Sequence, residues 1–260
     1  MPTNYKVIEG GHTCDTFLYD DKETRHIIKY AKKAMPPDFF MTEAKTLQFL
    51  STALAEKITP EVLEVNEKFL RLEYIPPQEA SMDSMLESLL KLHHTQGPYY
   101  GFEFNTFYSF FKQDNTPRDN FIEFYIHQRV LPLIDHPLLT KEDRQRIEKI
   151  CHNLPNLIDA KPAISLLHGD LWMTNLITSL DKTYFIDPAA YYGPREMDIA
   201  YARWIHPEHP LLDAYEAAFP LLSEFAQSRE LYLIYPLLQH IHLFEEKYLP
   251  DLYKILRYWA

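Results

Sequence analysis

The sequence predicts an α+β chain of two lobes, with a small antiparallel β-sheet lobe over residues 1–76 and a larger, mainly helical lobe over residues 77–260. Three observations lead there. Short β-branched and aromatic runs alternate with turn residues from Tyr5 to Ile75, and apolar residues recur at helical spacing from Ser81 onward. Between the two patterns, Pro76-Pro77 forces an extended connection. At 260 residues and 46% hydrophobic content the chain can bury a substantial core, as one large domain or two lobes.

In the N-terminal lobe, YKVIEGGHTCDTFLYDDKETRHIIKY reads as strands separated by Gly10-Gly11 and by the polar turn from Asp20 to Thr24. The chain holds only six glycines, at 10, 11, 97, 101, 169 and 193, so each is expected to mark a geometry closed to other residues. Gly10-Gly11 is either a plain hairpin turn or a cover over nucleotide phosphates, although a full G-x-G-x-x-G is absent. HIIK, ending at Lys29, is similar to the kinase strand whose lysine reaches those phosphates. Fourteen residues on, Glu43 opens EAKTLQFLSTAL, where Ala44, Leu47, Leu50 and Leu54 have helical spacing. Glu43 could pair with Lys29 and set its direction, or serve as a first-turn glutamate favoured by the helix dipole. EVLEVNEKFLRLEYIPPQ then reads as two strands joined at Asn66–Lys68. In a two-lobed kinase it would end at the hinge, with the main chain of Glu73 and Ile75 against an adenine edge.

The C-terminal lobe begins with MDSMLESLLKLHHT, whose Met85, Leu89 and Leu92 share a face. An aromatic loop, GPYYGFEFNTFYSFF, separates it from DNFIEFYIHQRVLPLI, and a third helical segment spans roughly 141–157. His93 and His94 lack the partner that H-E-x-x-H requires and read as helix-end histidines. LLHGDLWMTN follows, between two apolar runs. It fits H-x-D-L-x-x-x-N, in which the aspartate receives the proton of an attacking hydroxyl and the asparagine holds magnesium. Here those residues are Asp170 and Asn175. A hairpin turning at Asp181-Lys182 would deliver Asp187, seventeen residues after Asp170, as a second magnesium ligand. Two oxygen ligands with nucleotide phosphates and water suit magnesium. Asp198 reads as a buried brace for the loop. From Pro210 the chain is helical, with Leu231, Tyr235, Leu238, His242 and Tyr248 spaced for a bundle, and Tyr232 and His240 could line a substrate cleft.

The net charge of −11 argues against a nucleic-acid partner, whose phosphates need clustered Lys and Arg. The apolar runs are shorter than a membrane span, and MPTNYKVIEGG lacks a signal-peptide pattern, so no membrane association and a cytoplasmic location are expected. Cys14 and Cys151 stand far apart without a C-x-x-C neighbour, which suggests neither a disulfide framework nor structural zinc. Cys14, beside the glycine pair, is either a plain reduced cysteine or a redox-sensitive thiol.

LLHGDLWMTN, FIDPAAYYGPREMDIA and LYLIYPLLQHIHLF together resemble the fructosamine kinase (ketosamine 3-kinase) family, a branch of the aminoglycoside phosphotransferase-like, protein-kinase-like fold. The resemblance runs nearly end to end and includes IEGG, HIIK, YGFEFNTF and FYIHQRVLP. It implies ATP- and magnesium-dependent phosphorylation of the 3-hydroxyl of a fructosamine- or ribulosamine-type ketoamine, on a small molecule or a glycated lysine. The unstable 3-phosphate then releases the amine, so the reaction is a deglycation. Asp170 would be the base, Asn175 and Asp187 the magnesium ligands, Lys29 the phosphate contact with Glu43 orienting it, and Trp172 the stacking surface for the sugar-amine. A monomer is the default, with a dimer as the alternative.

The chain departs from the family at Met173-Thr174, at Gln239-His240 in place of Asn-His, and at Glu245-Glu246 in place of glycines, all on the expected acceptor side. Two rival readings follow: a kinase for another small hydroxyl compound such as an aminoglycoside or a choline-like alcohol, and a nucleotide-binding pseudokinase scaffold.

Overall fold

Alternating β-branched and aromatic residues form the expected strands β1 (Tyr5–Ile8), β2 (Cys14–Asp20), β3 (Arg25–Ala31), β4 (Val62–Val65) and β5 (Phe69–Glu73). In the computed structural model, which describes residues 5–8, 11, 13–20, 24–79 and 81–260, these pair antiparallel in the order β1-β2-β3-β5-β4. Between β3 and β4 runs helix α1 (Phe39–Ala53). Its Phe39, Phe40, Ala44 and Leu47 pack with Leu70 and Leu72 of β5 and with Cys14, so the apolar spacing read from the sequence is the face laid on the sheet. Asn66 closes the β4–β5 turn by accepting from the Lys68 and Phe69 amides.

Packing groups the chain into two compact units. The first comprises Met1–Thr95, Asn105–Lys112 and His168–Ala190, the second Gln96–Phe104, Gln113–Leu167 and Tyr191–Ala260. The expected lobes, by contrast, divide the chain at one point, after residue 76.

Helix α2 (Met82–His94) completes the long N-terminal stretch of the first unit. Ser81 caps it by accepting from the Ser84 amide, and Met85, Leu89 and Leu92 are its buried face. The aromatic loop, read from the sequence as irregular, contains a hairpin of β6 (Thr106–Tyr108) and β7 (Phe111–Gln113). Three-residue strands give too short a period to be recognised among so many aromatic residues.

In the second unit, α3 (Phe121–Tyr125) does not continue as one amphipathic helix. It widens into a π turn over Ile126–Val130 and tightens into a 3₁₀ turn at Leu131–Leu133. Pro132 cannot supply an amide to a regular ladder, and the widened turn brings Arg129 inside. Helix α4 (Lys141–Asn153) starts with a capping box of Thr140 and Asp143.

A second unanticipated pairing joins β8 (Ser165–Leu167) to the YYG strand that ends this region. Between them, β9 (Leu176–Ser179) and β10 (Lys182–Phe185) form the expected hairpin. Its turn lies at Leu180-Asp181, one residue before the expected place, with φ of 49° and 59°. Left-handed geometry at both central residues matches the twist of the flanking strands. Then come β11 (Tyr191–Gly193) and helices α5 (Glu196–Ile205), α6 (Pro210–Ala218), α7 (Phe225–Tyr232), α8 (Ile234–Phe244) and α9 (Leu249–Trp259). The last stretch is the helical bundle the periodicity predicts, with Leu231, Tyr235 and Leu238 buried. Among the described residues no helix is long and apolar enough to cross a membrane.

Candidate active site

Strand pairing and helix periodicity bring Lys29, Glu43 and Asp187 together from three separate parts of the first unit. Lys29 lies on central strand β3, flanked by Thr16 of β2 and Leu70 of β5, and is only 7% exposed. Its Nζ donates to Glu43 Oε1 at 2.6 Å and to Asp187 Oδ1. Burial alone would lower the lysine pKa, but the Asp187 and Glu43 carboxylates outweigh it and hold the ammonium well above the usual lysine range. Helix α1 begins at Phe39, so Glu43 lies beyond its first turn, and its partner is Lys29 rather than the helix dipole. Asp187, by contrast, keeps 40% of its side chain exposed, so part of its carboxylate remains open to a ligand.

The loop from His168 to Asn175 is cross-linked to the same hairpin. His168 Nδ1 accepts from the Asp170 amide at 3.3 Å and its Nε2 donates to the Ile186 carbonyl at 3.0 Å, which sets the tautomer. The Ala189 amide donates to the His168 carbonyl and the Ile186 amide to the Asn175 carbonyl. Asn175 Nδ2 donates to the Asp170 carbonyl at 2.9 Å and to Asp170 Oδ2 at 3.3 Å. Gly169 has φ 79°, and a Cβ there would stand 2.2 Å from the Ala189 carbonyl oxygen. Only glycine fits both demands. The bracing role of His168 and the tight fit of Gly169 against Ala189 were not read from the sequence, because they depend on Ile186 and Ala189, which lie well along the chain beyond the hairpin.

The donors fit magnesium. With its nitrogen committed to Asp170, the Asn175 amide has its oxygen as the remaining donor, and Asp187 adds a partly exposed carboxylate. Among the described residues no three His, Cys, Asp or Glu side chains converge on one point. Two hard oxygen donors, to be completed by phosphates and water, are what magnesium takes rather than an all-protein cage.

Of the other expected residues, Gly10 lies outside the described residues. Gly11 has φ 41°, and its carbonyl accepts from Lys32 Nζ at 2.8 Å. The Glu73 amide donates to the Glu61 carbonyl at 2.9 Å, and the Glu73 carboxylate pairs with Lys57. The side chain of Ile75 is buried. Trp172 is half-buried just before the 3₁₀ turn Met173–Asn175. Tyr232 and His240 belong to the second unit. Tyr232 is buried against Phe121 and Phe225, and His240 is packed by Tyr201, Trp204, Phe244 and Tyr248, with Nδ1 bonded to the Pro236 carbonyl. Gln239 is buried and donates to Tyr235 Oη at 2.7 Å. Burial pushes the Cys14 thiol up to about 12 against the pull of Lys29, so it stays protonated at neutral pH.

The aminoglycoside phosphotransferase APH(4)-Ia, in ternary complex with AMP-PNP and hygromycin B, aligns with a TM-score of 0.65 and 13% identity over 98% of this chain and 94% of that one. At that identity the likeness is one of fold. The fold is thus of the protein-kinase-like class. A Thermobifida fusca protein assigned as a fructosamine-3-kinase aligns with a TM-score of 0.83 and 25% identity, covering 97% of this chain and 92% of that one. The probable ketoamine kinase YniA of Escherichia coli K12 is 30% identical over 220 residues, 81% of this chain and 77% of that protein. The family profile described as fructosamine kinase matches residues 1–259. The chain belongs to the fructosamine kinase family, phosphotransferases with an alcohol group as acceptor.

Proposed function

We propose that this protein transfers the γ-phosphoryl group of ATP to the 3-hydroxyl of a fructosamine- or ribulosamine-type ketoamine, and so initiates deglycation of a small amine or a lysine. Membership of a kinase family supports ATP as the donor, and the family match favours a ketoamine over an aminoglycoside, a choline-like alcohol or a pseudokinase role. The observation that carries the reading is the contact of Lys29 with both Glu43 and Asp187 in the unit that also holds the Asp170–Asn175 loop. In functional terms residues 1–76 form the nucleotide lobe and 77–260 supply the catalytic loop and the acceptor residues, including Trp172, Tyr232 and His240. The cytoplasm, where ATP is abundant, is the location this reading implies. A monomer suffices, because all five charged and amide groups come from one chain.

Asp170 accepts a hydrogen bond from the acceptor hydroxyl and takes its proton as the oxygen–phosphorus bond forms and the bond to the ADP oxygen breaks. Asn175 keeps the Asp170 main chain and carboxylate in place. Lys29, aimed by Glu43, lends positive charge to the phosphate oxygens, and the Ile75 amide faces the adenine edge. Asn175 and Asp187 would hold magnesium, which when bound neutralises the phosphate oxygens. Trp172 offers an indole face to the sugar-amine. Catalysis then comes mainly from positioning and electrostatics, since a loose transition state needs little covalent help.

Turnover with magnesium and ATP should be measured across fructosyl-lysine, ribulosyl-lysine, free sugars and an aminoglycoside. Ketoamines are expected to be the preferred acceptors. Turnover of another acceptor with none of a ketoamine would overturn the assignment.

A further inference from the structure

The two residues of the Lys29–Asp187 pair are mounted differently. The Ile186 amide donates to the Asn175 carbonyl at 3.0 Å and the Ala189 amide to the His168 carbonyl at 2.9 Å, so the main chain is pinned on both sides of Asp187. Asp187 itself takes a left-handed φ of 54° ahead of Pro188, a conformation that persists only where the surroundings enforce it. Its carboxylate is thus carried on a rigid mount. Lys29 approaches from β3 on a flexible four-carbon stem, and its ammonium also donates to Glu43 Oε1 at 2.6 Å. Of the two partners, the lysine tip is the one that can move.

Asp187 Oδ1 accepts from that ammonium, and the Asp187 side chain is 40% exposed against 14% for Glu43. A divalent cation drawn to Asp187 would meet the ammonium on the same carboxylate. Like charges repel there, and cation affinity follows the net ligand charge a site offers. Lys29 cannot simply release Asp187, because a buried ammonium that loses a carboxylate needs another anion in its place. Phosphate oxygens supply one. Moving the tip of Lys29 from Asp187 to a phosphate, with Glu43 keeping its hold, exchanges one negative partner for another and releases the exposed carboxylate.

We propose that Lys29 is a latch on Asp187, which makes metal binding conditional on nucleotide phosphate: the metal engages Asp187 only once phosphate has taken up the lysine. Glu43 retains the ammonium during the exchange. The coupling is reciprocal, so metal on Asp187 also drives Lys29 toward phosphate. The inference rests on the reading of Asp187 as a metal ligand and of Lys29 as a phosphate contact, and it adds the order in which they engage.

The test is a calorimetric titration of Mn2+ alone, standing in for magnesium, into the full chain with neither nucleotide nor acceptor present. Lys29→Met combined with Glu43→Gln removes the latch together with the buried carboxylate it would leave unpaired. This double variant should bind Mn2+ about tenfold more tightly than wild type, since one positive charge has left the site. Adding Asp187→Asn should abolish the gain. Glu43→Gln alone leaves the lysine on Asp187 and should bind no more tightly than wild type. Lys29→Gln, whose amide can still donate to Glu43, should show the same gain, and it carries the test if the double variant does not fold. Lysine variants that bind Mn2+ as wild type does, a gain that survives Asp187→Asn, or an equal gain in Glu43→Gln alone would overturn the latch. Because no acceptor enters the titration, such a result leaves the assignment of a ketoamine substrate untouched.

Discussion

Lys29 and Arg129 are both cations removed from water, at 7% and 1% exposure, and they are neutralised in opposite ways. Lys29 sits between two carboxylates. Arg129 donates to the Asp114 and Gln128 carbonyls and to the Asn115 amide oxygen at 2.7, 3.0 and 2.5 Å, with its guanidinium 4.4 Å from the ring centroids of both Phe124 and Tyr191. Neutral oxygens and aromatic faces cannot be exchanged for a ligand. A carboxylate partner that is part exposed, as Asp187 is, leaves room for other groups to take up the charge. The difference separates a cation built to meet an anion from one built to hold a loop and the π turn together. Charge burial alone does not mark a site; the chemistry of the partners does.

The contrast can be broken from several directions. Asp170→Asn should cut turnover by about 10³-fold while nucleotide affinity stays within twofold, measured by steady-state kinetics and calorimetry. Near-normal turnover would remove Asp170 from the mechanism. Lys29→Met should lower kcat/KM by about 10²-fold through lost charge stabilisation, and Lys29→Arg should not restore it, because a planar fork cannot replace a point charge between Glu43 and Asp187. If Arg restores activity, the geometric part of the comparison fails.

Arg129→Ala should instead act on folding. Losing the side chain leaves a cavity and three acceptors without their donor, a cost of about 3–4 kcal/mol in urea unfolding. An unchanged midpoint there would deny Arg129 its structural role. Gly169→Ala should cost about 2 kcal/mol for the left-handed φ and the approach to Ala189, and turnover should fall with it as the Asp170 loop shifts.

The smallest expected effect is that of pH. The Lys29 pKa is raised in the folded state, so its stabilisation is complete below the ordinary lysine value of 10.5 and is lost only as pH climbs beyond it. Burial lowers His136, His206 and His209 from 6.5, so protonation favours the unfolded chain and stability declines as pH drops below about 6.5. Thermal melts from pH 5 to 8 should therefore be flat on the alkaline side and fall only on the acid side, and any loss that sets in near pH 9 belongs to the buried thiols Cys14 and Cys151, whose values burial raises from 9.0. A decline between pH 7 and 8 would contradict the assignment of a permanently charged Lys29.

Much of this was legible along the chain. The strands β1 to β5, the helices α1, α2 and α4 and the bundle from α5 to α9 follow from apolar periods long enough to be read, and the match to a kinase loop at His168–Asn175 rests on residues close in sequence. The β6–β7 hairpin and the β8–β11 pair were missed, because three-residue strands acquire their identity from partners far away. The turn at Leu180-Asp181 was misplaced by one residue, because the twist of a hairpin selects left-handed residues that composition does not reveal. The buried setting of Gln239 was hidden for a similar reason: its partner is the Tyr235 hydroxyl, and the bond depends on how α8 is buried.

The sequence by itself determined the residue types and spacings that phosphoryl transfer requires, from Lys29 to Asp187, since those are local patterns and chemical identities. Tertiary structure alone decided that Lys29 meets two carboxylates while Arg129 meets none at bonding distance among the described residues, and that Gly169 is obligatory beneath Ala189. Those outcomes depend on distances between residues up to 158 positions apart. Only the packing of strands and helices sets such distances.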